Sequence, residues 1–207
     1  MASATSLFGE RFTHRLEAFS DLVFGFSLSL LATRLDIPAD SSQIFEPTRW
    51  ATFVITFAVI CSLWLAHYKI FRRRFAPQIP DVFINFVFLL GIAVLPYALQ
   101  VYLRFTTGKE ALILYFGDCV LVFAALATLR LRALVQQRGD PDPELRVREW
   151  RATLRQYTIV LVIAGCLIAM AMGVILKESF YSSAAAVFIG ATLLTRVTVK
   201  RLPRFLQ

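Results

Sequence analysis

The sequence predicts an all-α polytopic membrane protein with six transmembrane helices per subunit. Three observations carry that prediction. Of the 207 residues, 57% are hydrophobic and only 17% charged, and the mean hydropathy is +0.64. Six apolar runs each approach the roughly 20 residues that cross a hydrocarbon core. The basic residues gather at alternate ends of those runs, as the positive-inside rule requires. A soluble fold of this length needs more polar surface than these residues supply, and disorder is excluded by the same composition. Strands of a membrane barrel would alternate in short segments, whereas these runs are continuous.

The first span, about 12–35, carries Arg15, Glu17 and Asp21 in its opening half and stops at Pro38. The second covers about 50–70 and the third about 82–103, with Pro96 inside it. The fourth covers about 111–131. A polar turn with the core QQRGDPDPEL and a charged helical lead-in then precede the fifth span, about 157–176. The sixth, about 180–199, completes one six-helix transmembrane domain over residues 1–207. Gly165, Ala169 and Gly173, and Ala186 with Gly190, form small-residue ridges that suit close helix contact. Of the 22 Lys and Arg, only Arg34, Arg49, Arg104, Lys109 and Lys177 fall on the side opposite the termini, so both termini are expected in the cytoplasm. The net charge of +8 then reads as topology signalling, and no nucleic-acid partner is expected. The N-terminal segment lacks the pattern of a cleaved signal peptide. Cys61, Cys119 and Cys166 each sit in an apolar stretch without a disulfide or metal spacing.

Ionisable groups inside the bilayer are costly and mark the places where function concentrates. Asp21 beside Ser20 in the first span, Trp64 and His67 in the second and Asn85 in the third all fall in the cytoplasmic half, so one polar network is expected. Asp118 lies in the fourth span, facing a cation or a subunit contact. The residues alone leave open whether the network only holds the bundle together or serves as a proton relay, with Asp21, His67 and Asp118 as the relay of a proton-coupled transporter. One His and one Asp on separate helices, with His14 at the interface, do not make a metal ligand set. Ser20, His67 and Asp21 have the residue types of a catalytic triad, but adjacent helical residues project about 100° apart and cannot both flank one imidazole. No enzyme activity is expected.

The rest of the first helix has two different faces. Phe26, Leu30 and Thr33 share a narrow stripe at i, i+4 and i+7, pointing away from Asp21. Gly25, Ser27 and Ser29 make the helix small and polar for one facing lipid, which suits a buried or pore-lining position. Periodicity alone also permits ordinary core packing for the stripe.

Arg15-Leu16-Glu17-Ala18-Phe19-Ser20-Asp21 resembles the R-x-x-x-F-S-D pattern that opens the first helix in the transmembrane protein 175 family, the endosomal and lysosomal potassium channels and their bacterial relatives. Trp64 to His67, followed by Phe71, resembles that family's W-x-x-H pattern. Asn85 with Pro96 and Tyr97 resembles its third-helix pattern. The resemblance implies a potassium-permeable, potassium-selective leak-type channel with no cofactor and no metal beyond permeant potassium. It implies a homotetramer of six-helix subunits in the inner or plasma membrane, with the first helices lining a central pore. In that family apolar side chains narrow the pore, at positions matching Phe26, Leu30 and Thr33, and this sequence has no TVGYG-type carbonyl filter. Arg15, Phe19, Ser20, Asp21, Trp64, His67 and Asn85 become a structural clamp on the first helix. The chain departs from the pattern in the bulk of Phe26, the polarity of Thr33 and the presence of Arg34 near the mouth.

Overall fold

The computed structural model describes residues 10–33, 35, 40–41, 44–72, 75, 77–105, 108–136, 143–173 and 189. These residues form five long helices: α1 (Glu10–Thr33), α2 (Pro47–Phe71), α3 (Ile79–Arg104), α4 (Lys109–Gln136) and α5 (Pro143–Ala171). No strand occurs among the described residues. Each of the five helices is long and apolar enough to cross a membrane. The expected sixth span at 180–199, with Ala186 and Gly190, lies outside the described residues apart from Ile189, as do Arg34, Arg73, Arg74 and Lys177.

Local chemistry sets the helix ends. α2 opens on Pro47, where a missing N–H removes no helical hydrogen bond. α3 opens with a capping box, the Gln78 N–H donating to Asp81 Oδ2 at 2.9 Å. It continues through a buried Pro96 to Arg104. α5 begins well before the expected fifth span, because the charged lead-in from Pro143 belongs to the same continuous helix. It also ends sooner, at Ala171, since Gly173 takes a left-handed φ of 75° just past it. Gly173 therefore adds nothing to a helical small-residue ridge, and a Cβ on Gly165 would meet no atom within 4 Å.

α3 stands at the centre, packed against α1 and, most extensively, against α4; α4 carries α5, α2 leans on α1, and α2 touches α4 only sparingly. Successive helices run antiparallel. Asp81 at the start of α3 accepts from Arg132 Nε and Gln136 Nε2 at the end of α4, and Arg130 pairs with Glu149 near the start of α5 at 3.9 Å while its Nη1 donates to Gln156 Oε1 midway along α5 at 3.2 Å. Arg132, one of the basic residues on the side of the termini, is more than a topology signal: it is the partner of a fully buried carboxylate. These contacts, with those of Asn85 near the start of α3 to Ser20 of α1 and to His67 near the end of α2, gather the starts of α1, α3 and α5 and the ends of α2 and α4 at one end of the bundle, rich in Arg and Lys. Phe24, Ile60, Phe88, Ile92 and Leu126 fill the main core. A second cluster of Leu112, Val162, Cys166 and Met170 joins α4 to α5 towards the other end. The close approach of α3 and α4 depends on Gly91, where a Cβ would stand 2.5 Å from Val122 Cγ2 and 2.9 Å from Leu121 Cδ2.

Candidate functional site

The site is built on α1, whose two faces have opposite fates. Leu16, Ser20, Phe24, Ser27 and Leu31 recur at helical spacing and are all buried. Two of them are serines, tolerated there because each hydroxyl donates to a carbonyl one turn back: Ser20 Oγ to Leu16 O at 2.8 Å and Ser27 Oγ to Val23 O at 3.0 Å. Ser27 therefore belongs to the core face, unlike Ser29, which is exposed.

On the buried face Asn85 of α3, with no exposed surface, joins two other helices. Its Nδ2 donates to Ser20 Oγ at 3.2 Å, and its Oδ1 lies 2.7 Å from His67 Nε2. A carbonyl oxygen can only accept, so this contact requires the proton on Nε2. The imidazole is held by aromatic rings, stacked on Phe88 at 5.2 Å between centroids and tilted against Phe71 at 4.7 Å.

Asp21 and Trp64 meet elsewhere. Trp64 Nε1 donates to Asp21 Oδ1 at 2.7 Å on the outside of the α1–α2 pair. The structure thus brings the predicted residues together in two groups, Ser20–Asn85–His67 and Asp21–Trp64, with no hydrogen bond between the groups. Arg15 is exposed and makes no hydrogen bond or ion pair with either. Phe19 stands edge-on to Phe86 of α3 at 5.9 Å. Asp118 is buried beside Gly91 at the α3–α4 crossing, and its Oδ2 has no hydrogen-bond partner. It lies roughly 9 Å further along α3 than Asn85, taking 1.5 Å per residue. No hydrogen bond among the described residues links Asp21, His67 and Asp118 into a relay. The described residues hold no cluster of His, Cys, Asp or Glu suited to a metal ion, and all three cysteines are free.

The stripe occupies the opposite face. Phe26 is 62% exposed and Leu30 46%, and Thr33 is exposed with its hydroxyl donating to Leu30 O at 2.9 Å. Phe19 and Leu22 extend the same exposed face towards the start of the helix. A Cβ on Gly25 would meet nothing within 4 Å. Among the described residues, the stripe therefore packs into no core. It is an apolar ridge held outward by the anchor behind it.

Residues 15–96, which contain the first two motifs and Asn85 and Pro96 of the third, match the family model for the endosomal/lysosomal potassium channel TMEM175. Over its first three helices the chain is similar to the TMEM175 family. It is 24% identical over 171 residues to the rat endosomal/lysosomal proton channel TMEM175, covering 76% of this chain and 33% of that protein. The human protein of the same name is 22% identical, over 94% of this chain and 38% of its own length. A potassium channel from Streptomyces collinus is 27% identical, over 70% of this chain and 75% of the relative. The chain thus spans little more than a third of the mammalian TMEM175 proteins. The family is one of ion channels rather than enzymes.

Sequence reasoning missed three elements of the surroundings. The Asp81–Arg132–Gln136 cluster, the Gly91 contact and the hydrogen bond between Thr128 Oγ1 and Tyr157 Oη at 3.0 Å all depend on which helices are neighbours. Neighbourhood is not written in the local pattern.

Proposed function

We propose that this chain is one subunit of a potassium-conducting membrane channel whose pore is lined by the outward face of α1. The observation that carries this reading is the division of α1: one face is anchored through Ser20, Asn85 and His67, and the other presents Phe26, Leu30 and Thr33 away from the subunit. Four copies meeting around these faces would enclose a pore whose narrowest points are rings of apolar side chains. Such constrictions gate by dewetting and select without carbonyl coordination. On this reading the subunit has six spans, both termini lie in the cytoplasm, the assembly is a homotetramer and the permeant ion is potassium. The name of the bacterial relative supports the choice of ion.

The names of the mammalian relatives favour a second reading, in which the same face passes protons. The two are separated by reconstituting the purified chain in liposomes under potassium, sodium or proton gradients. Dissipation of the potassium gradient ahead of sodium supports the first reading. Collapse of a pH gradient, with the potassium gradient intact, supports the second.

A further inference from the structure

At the basic end, α2, α4 and α5 leave an open cavity of about 30 Å³. Ala66, Lys69 and Ile70 line it from α2, Arg130, Ala133 and Leu134 from α4, and Glu149 from α5. It exists because α2 touches α4 so sparingly and the residues facing the gap, Ala66 and Ala133, are small. Two cations from different helices converge on it. Arg130 is held in place by Gln156 Oε1 at 3.2 Å and by Glu149 at 3.9 Å, and its side chain is only 17% exposed. Lys69 is exposed and has no hydrogen bond or ion pair among the described residues. The cavity carries one carboxylate against two cations, so it keeps a net positive charge.

We propose that this cavity binds a phosphate group, supplied by an anionic phospholipid headgroup or by free phosphate, with Lys69 and Arg130 as its ligands. A volume of this size admits about one water-sized group. One phosphate oxygen therefore enters and the remainder of the group sits at the mouth. The guanidinium offers directed donors to the oxygens, and the ammonium adds a mobile point charge. Ile70 and Leu134, with the two alanines, give the neighbouring methylenes of a lipid an apolar wall, and basic pockets between transmembrane helices recognise such headgroups. The pocket is independent of the pore face: its residues belong to α2, α4 and α5, and none lies on α1.

The test measures thermal unfolding of the full-length chain in neutral detergent, titrated with phosphatidylglycerol, phosphatidylcholine or inorganic phosphate. Lys69→Gln removes one ligand and leaves Arg130 bridging α4 to α5. Arg151→Gln, exposed on α5 and outside the cavity, controls for the general positive charge of this end. Phosphatidylglycerol or inorganic phosphate should stabilise the wild type where phosphatidylcholine does not. Lys69→Gln should weaken that apparent affinity about fivefold, the effect of one cation near a membrane surface, and Arg151→Gln should leave it unchanged. A response to phosphatidylglycerol alone identifies the lipid as the source, and an equal response to inorganic phosphate identifies the free ion; both support the site. Equal stabilisation by all three additives, or equal losses in the two variants, overturns it.

Discussion

Asn85 closes α1 and α2 onto α3 with a single side chain. It has no exposed surface, and its amide engages Ser20 on one side and His67 on the other. Replacing it leaves the histidine without its partner in a packed aromatic setting, so Asn85→Ala should destabilise the chain by about 1–3 kcal/mol. Ser20→Ala should lose less than about 1 kcal/mol, since it removes one long hydrogen bond and hydrogen bonds between membrane helices are individually modest. Thermal unfolding in detergent gives the order, and equal losses would contradict the anchor. The residue types of this anchor were legible in the sequence; its division was not foreseen. Ser20 and Asp21 project about 100° apart, so only the serine reaches Asn85, and the aspartate meets Trp64 outside. The angle that argues against a triad also argues against a single network.

Among the elements, α3 does most to fix the arrangement, through Gly91 at the crossing with α4 and Asp81 at its start. A methyl at Gly91 forces Val122 and Leu121 to move, so Gly91→Ala should destabilise by about 1–3 kcal/mol. Gly165→Ala, in open space, should stay within about 0.5 kcal/mol of wild type. Asp81→Asn removes the buried charge that Arg132 meets and leaves one amide oxygen for the cap of α3, and should lose about 1–3 kcal/mol. Both comparisons are read from thermal or denaturant unfolding in detergent, and a fully stable Asp81→Asn would show that the pair is dispensable. The helices themselves were legible: the first three fall close to expectation because apolar runs and prolines mark them, and the fourth runs five residues past its expected end, to Gln136. The fifth was misjudged at both ends, since a charged lead-in has no apolar periodicity and only the backbone at Gly173 shows where the helix stops. Gly91 and Asp81 gave no signal, because a glycine in an apolar run and an acid at a helix start are both ordinary.

For the whole molecule, the exposed side of α1 carries the functional claim, because it is the face that the motif-bearing anchor holds away from the subunit core. The most direct measurement compares potassium flux from liposomes for the wild type, Leu30→Ala on the α1 stripe and Leu90→Ala on α3, a position that is also largely exposed. Shortening a side chain at a constriction widens it and eases wetting, whereas shortening one that faces lipid or another helix does not. Raised flux in Leu30→Ala, with Leu90→Ala matching the wild type, is the predicted result. Flux unchanged in Leu30→Ala, or altered equally in both variants of well-folded protein, would contradict a pore lined by α1.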